Sequence, residues 1–125
     1  MKKRILIIDD NQDILELAEF LLTEKGYEVV ASSTPHILSE LSQINPDLIL
    51  LDEYLDGIKG HEQCIMLKSA ETTKHILIII LSGAFGIEKI AEDCLADGFI
   101  KKPFDIDYLY EVVDNHLLTT ETNNY

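Results

Sequence analysis

Five residues in this chain carry side chains that could do chemistry together: Asp9, Asp10, Asp52, Ser82 and Lys102. Asp9 and Asp10 close one short apolar run, Ile5 to Ile8, and Asp52 closes a second, Leu48 to Leu51. Ser82 closes a third, Ile76 to Leu81, and Lys102 follows a fourth, Gly98 to Lys101. If the first two runs are neighbours, three carboxylates converge. Two charges ~4 Å apart at an effective dielectric of ~20 repel by about 4 kcal/mol. Such a cluster persists when the acids are protonated, splayed into water or holding a cation. Few oxygen ligands, with room left for water and phosphate, suit Mg2+ better than a dedicated Ca2+ cage. With the Ser82 hydroxyl and the Lys102 point charge added, the set has the parts of a phosphoryl-transfer site. Metal and lysine neutralise the equatorial oxygens while one carboxylate attacks. Each residue alone has a plainer reading: an Asp at a strand end can cap the next helix, and a Lys beside Pro can be a solvated loop residue. Their joint placement, one group after each strand except the second, points to a site.

The elements that must position these groups alternate between short strands and amphipathic helices. Ile5 to Asp9 reads as a strand buried on both faces. A helix follows, capped by Asn11 and stopped by Gly26, with Ile14, Leu17, Ala18 and Leu21 on its apolar face. Tyr27 to Ser32 is a second strand. Thr34-Pro35 supplies a cap and a first helical position, Ile37, Leu38, Leu41 and Ile44 form that helix's stripe, and Asn45-Pro46 ends it. Asp47 to Asp52 is the third strand, Gly60 to Ala70 a helix of weaker pattern, and Ile76 to Leu81 the clearest central strand. Ile87, Ile90, Ala91 and Cys94 mark a fourth helix from about Gly86. Gly98 to Lys101 is the fifth strand, Lys102-Pro103 a turn, and Ile106, Leu109, Val113 and Leu117 the last helix. This alternation predicts an α/β fold with a parallel sheet covered on both faces, whose sites lie beyond the carboxyl ends of the strands at the topological switch point.

Composition narrows the function classes. A chain of 125 residues, 46% of them apolar, makes one ordinary domain with a real core. A net charge of −13 argues against direct nucleic-acid binding and against docking on an anionic membrane. No apolar run approaches the roughly 20 residues of a membrane span. The basic start is followed by an apolar stretch that Asp9 and Asp10 interrupt, so it is no signal-peptide core, and the chain reads as cytoplasmic. Cys64 and Cys94 lie in helix-like apolar patterns and are read as small buried hydrophobes. His36, His61, His75 and His116 lack ligand spacing and are read as surface or helix-end residues.

Four segments carry a family resemblance: Ile-Leu-Ile-Ile-Asp-Asp-Asn, Leu-Ile-Leu-Leu-Asp-Glu-Tyr-Leu, Ile-Ile-Ile-Leu-Ser-Gly and Phe-Ile-Lys-Lys-Pro-Phe. In this order and spacing they resemble the signature segments of response-regulator receiver domains of the chemotaxis type, the signalling modules of two-component systems. The resemblance runs from about residue 3 to residue 118, leaving a short polar tail over residues 119–125. It implies a flavodoxin-like, doubly wound sheet of five parallel strands in the order 2-1-3-4-5 with five helices. It also implies that Asp52 is the phosphoacceptor, with a sensor histidine kinase or a histidine phosphotransfer protein as donor. Asp10, Asp52 and the backbone carbonyl of Tyr54 would hold Mg2+, and Asp9 would act largely through metal-bound water. Ser82 would hydrogen-bond a phosphoryl oxygen, and Lys102, rather than Lys101, would pair with the phosphoryl group. The Lys102-Pro103 bond is expected to be cis. On phosphorylation Ser82 would move inward and Phe99 would fill the space it leaves. That shifts the face made by the fourth helix, fifth strand and fifth helix, where a downstream protein target would dock. The domain would catalyse its own phosphorylation and dephosphorylation without being an enzyme for a separate metabolite.

Three positions depart from the family's pattern. Asp56 stands where Pro is usual and is followed by Gly57, which predicts a looser loop with an extra carboxylate. Gly83 replaces a small residue such as Ala, and Leu95 a frequent Gly, so the fourth helix is expected to end differently. Tyr54 is expected to shield the acyl phosphate from water. An aspartate-nucleophile phosphatase is disfavoured, because Tyr54 takes the place of its second acid and no cap domain is encoded. A flavin site lacks its phosphate-binding loop after the first strand. A phosphorylation-independent interaction domain on the same fold is the remaining alternative. Met1 just before the first strand and the short polar tail favour a stand-alone protein whose output passes through a partner.

Overall fold

The computed structural model describes residues 2–122. Five parallel strands form one sheet: β1 (Arg4–Ile8), β2 (Glu28–Ser32), β3 (Leu48–Asp52), β4 (Leu77–Ser82) and β5 (Gly98–Lys101). Their spatial order is β2-β1-β3-β4-β5, the expected doubly wound arrangement. The helices are α1 (Gln12–Glu24), α2 (Leu41–Ile44), α3 (Gly60–Ser69), α4 (Ile87–Asp93) and α5 (Ile106–Thr122). The last helix continues into the polar stretch that follows Leu118, and residues 123–125 lie outside the described residues.

Alternation along each strand feeds two cores. Ile5, Ile7, Leu48, Leu50, Ile79 and Leu81 pack with Leu15, Ala18 and Leu22 of α1 and with Leu109, Val113 and Leu117 of α5. Leu6, Ile8, Ile49, Leu51, Ile78 and Ile80 face the other way, toward Leu41, Ile87, Cys64 and Cys94. Both cysteines are free and buried, as apolar filling. With both faces covered, β3 has no exposed residue, which is why its sequence reads as an uninterrupted apolar run.

Some expectations need correction. The buried stripe of α1 is Leu15, Ala18, Leu21 and Leu22, whereas Leu17 is exposed and Ile14 half-buried, so the helix is rotated from the face read in the sequence. Leu15 and Leu22 are seven residues apart and fit the same period, so periodicity alone did not choose between the two faces. Residues Pro35–Glu40 form a 3-10 helix that leads into the single turn of α2, where a continuous α-helix was expected. Pro35 takes the first helical position, but the Thr34 side chain makes no capping hydrogen bond. At Leu95 the chain leaves α4 through a defined turn. The Leu95 N–H donates to the Glu92 carbonyl at 3.2 Å, and the Ala96 N–H donates to the Ala91 carbonyl at 3.0 Å. That is a Schellman turn, and it forces Leu95 to φ 66, where glycine is the usual residue.

Candidate functional site

Strand register builds the site. β1 and β3 pair Ile8 with Leu51, so the residues that follow, Asp9 and Asp52, emerge side by side. β3 pairs Asp52 with Leu81 of β4, which puts Ser82 one step beyond. β4 in turn pairs Ser82 with Lys101, so Lys102 leaves β5 one residue further on. Asp9, Asp52 and Ser82 are buried, and Asp10 is exposed at the mouth. The Asp9, Asp10 and Asp52 carboxylates each offer an oxygen within 4.8 Å of the others. Lys102 Nζ donates to Asp9 Oδ2 at 2.7 Å and to Asp52 Oδ1 at 3.2 Å. Lys101 instead pairs with Glu88 on the surface.

The electrostatics follow from this packing. Burial raises the Asp52 carboxyl from its ordinary value of 3.8 to about 6, the neighbouring Asp9 and Asp10 add to the rise, and Lys102 opposes it. One ammonium faces three carboxylates, so the pocket has an excess of negative charge and a set of hard oxygen donors. Both properties suit a divalent cation such as Mg2+.

Other predicted residues surround this cluster. Ser82 Oγ accepts the Ala84 N–H at 2.9 Å. Ser82, Gly83, Phe85 and Lys102 line a cavity of about 390 Å3 beside the acids. A Cβ on Gly83 would make only ordinary contacts with Lys102, the nearest at 3.5 Å, so Ala would fit there as well. Phe99 is half-buried against the core that holds Cys64 and Cys94. The Lys102-Pro103 bond is cis. Asn11 caps α1 by accepting the Ile14 N–H at 3.2 Å, and Asp9 Oδ1 accepts the Asn11 N–H at 2.9 Å, which fixes the Asp9 carboxylate from behind.

The segment after Asp52 differs from its expectation. It is a closed hairpin, not a loose loop. Tyr54–Leu55 pairs antiparallel with Ile58–Lys59 around Asp56 (φ 49) and Gly57 (φ 85). Two left-handed residues in a two-residue connection make a type I′ turn, for which Asp-Gly is a favoured dipeptide. At the hairpin's base, the Gly60 N–H donates to the Glu53 carbonyl at 2.8 Å and the His61 N–H donates to Glu53 Oε1 at 2.8 Å. The His61 ring also pairs with the second Glu53 oxygen, and Glu53 itself is buried. A Cβ at Gly60 would lie 2.3 Å from the Asp52 carbonyl oxygen, so only glycine permits this approach. Glu53 was not singled out in the sequence, Gly60 was read only as a helix start, and His61 only as a surface or helix-end residue. The Asp-Gly dipeptide flanked by Leu55 and Ile58 was the available signal.

Comparison with known proteins agrees with this geometry. The model of the response regulator receiver domain matches residues 5–114. The response regulator PleD of Caulobacter vibrioides is 34% identical over 113 residues, which is 84% of this chain and 24% of that protein. The sensor kinase/phosphatase CqsS of Vibrio cholerae is 34% identical over 116 residues, 90% of this chain and 17% of that protein. The chain therefore spans at most about a quarter of the length of these two relatives. Among solved structures, a CheY-like receiver domain protein from Methanospirillum hungatei superposes with a TM-score of 0.88 at 27% identity, covering 99% of this chain and 100% of that one. The BeF3-activated receiver domain of DrrB gives a TM-score of 0.82 at 25% identity, covering 94% and 99%. The chain belongs to the response regulator receiver domains, the receiving modules of two-component signalling.

Proposed function

We propose that the domain takes a phosphoryl group from a histidine of a sensor histidine kinase or histidine phosphotransfer protein onto Asp52, with Mg2+ as cofactor. The observation that carries this reading is Lys102 Nζ shared between Asp9 and Asp52 at the mouth of a buried acid cluster. Asp10, Asp52 and the Tyr54 carbonyl would hold the cation, with Asp9 acting through its water. The bound cation would neutralise the phosphoryl oxygens. With its carboxyl near 6, Asp52 is ionised at neutral pH and can attack phosphorus. The phosphorus–nitrogen bond to the donor imidazole breaks as the acyl phosphate forms. Lys102, already beside Asp52, would turn its charge to the incoming phosphoryl group.

In this reading Ser82 leaves the Ala84 N–H to donate its hydroxyl to a phosphoryl oxygen. Phe99, half-buried one strand away, fills the space. The shift then changes the α4–β5–α5 face toward a downstream protein. Phe99 has no hydroxyl, so its inward state rests on packing alone. A cytoplasmic setting fits a histidine kinase donor. The domain, taken as residues 3–118, would catalyse its own phosphorylation and dephosphorylation.

Titration with Mg2+ and beryllofluoride, a phosphoryl mimic, tests the proposal. Saturable binding by the native chain and none by Asp52→Asn is the expected result. No binding by either protein would favour a phosphorylation-independent interaction domain.

A further inference from the structure

The hairpin of residues 53–61 does more than connect β3 to α3. Leu55 is fully buried and Ile58 packs against the same core, which anchors the stem to the body of the domain. The Glu53 carbonyl and carboxylate close the base. Leu55, Asp56 and Ile58 line a cleft of about 380 Å3 together with Asp10, so the hairpin shares one cleft with a residue of the acid cluster. Tyr54 lies in the stem, directly paired with Lys59.

Building on the assignment of the Tyr54 carbonyl as a cation ligand, we propose that the Asp56-Gly57 turn sets the domain's Mg2+ affinity by holding this hairpin closed. Gly57 is then a positioning residue for the Tyr54 carbonyl. The cost of any other residue there is purely conformational. A Cβ on Gly57 meets nothing within 4 Å, yet the backbone stands at φ +85. An L-residue with a branched Cβ disfavours that conformation by about tenfold or more, whereas Asn enters it readily. Opening the turn relieves the strain and makes the closed hairpin a smaller fraction of the ensemble. Apparent affinity for a ligand that needs the closed form falls by the same fraction.

The test is the Mg2+ dissociation constant, fitted from the logarithmic rise of melting temperature with Mg2+ concentration and measured on the native chain and on Gly57→Val, Gly57→Asn and Asp56→Asn. From a hairpin about nine-tenths closed, a tenfold penalty leaves about half of it closed, so Gly57→Val is expected to need about twofold more Mg2+. Gly57→Asn and Asp56→Asn, which keep the turn, should stay near the native value. Gly57→Ala carries a milder strain and serves should Gly57→Val fail to fold. If the native chain itself shows no Mg2+-dependent rise, the cation reading falls and this proposal falls with it. A native response matched by both Gly57→Val and Gly57→Ala overturns the proposal alone. So does a loss confined to Asp56→Asn, which would show that the carboxylate matters and the turn does not.

Discussion

The two loops that flank the acid cluster contrast in how firmly they are held. After β3, the chain is closed at its base by Glu53, paired along its stem and turned by two residues suited to left-handed backbone. After β4, Ser82 to Gly86 is a short glycine-containing loop whose Phe85 side chain is wholly exposed. It leads into α4, only seven residues long, beyond whose end a leucine is held at φ 66. The first loop has the character of a fixed wall, suited to holding a cation. The second begins at the proposed switch residue Ser82, whose hydroxyl accepts the Ala84 N–H at 2.9 Å. A receiver domain needs both: preorganised ligands for the chemistry, and a neighbouring segment whose population can shift.

Four substitutions break or sharpen this contrast. The largest effect is expected at the cluster that the fixed wall borders. With its carboxyl raised from 3.8 to about 6, Asp52 binds its proton more tightly in the folded chain than in the unfolded one. The resulting stabilisation is complete below about pH 4 and is lost as pH rises through about 6. Asn cannot ionise. In EDTA at pH 7.5, Asp52→Asn should therefore be more stable than the native chain by about 3 kcal/mol in denaturant unfolding. Much of that gap should close near pH 4. A native chain equally stable at both pH values, with no gain from Asn, would mean that the acids are not crowded.

Gly60→Ala comes next. The added methyl cannot coexist with the Asp52 carbonyl, and the wall must shift at a cost of about 2 kcal/mol, read from the urea midpoint. An unchanged midpoint would show that the hairpin base is slack. Tyr54→Ala keeps the backbone carbonyl and removes the exposed ring at the site's edge. The half-life of the phosphorylated domain should shorten about threefold, a barrier change of about 0.6 kcal/mol; an unchanged half-life would refute shielding. The smallest effect is expected at the end of α4. Leu95→Gly relieves the left-handed strain but adds chain entropy to the unfolded state, for a net gain of about 0.5 kcal/mol. A loss of stability on this change would show that the exposed Leu95 side chain contributes to packing.

The sequence made the sheet legible because strands buried on both faces are written as unbroken Ile and Leu runs. Residues that break such runs stand out, so Asp9, Asp10, Asp52, Ser82 and Lys102 could be read as strand ends, and register then brings them together. Helix rotation was less legible, since α1 carries apolar residues at Ile14, Leu15, Leu17, Phe20, Leu21 and Leu22, more than one face can bury. The hairpin was misread for a different reason. Asp56 was weighed by what it replaced, whereas the Asp-Gly pair together specifies a tight turn. The Glu53–His61 contact was out of reach, because a residue's burial beside a site depends on how the following helix docks.

Intact-mass analysis after incubation with a small-molecule phosphodonor, with and without Mg2+, tests the central claim most directly. The native chain should gain one phosphoryl group, mapped to Asp52 and dependent on Mg2+, while Asp52→Asn gains none. A native chain that stays unmodified, or an Asp52→Asn chain modified to the same extent, would contradict the account.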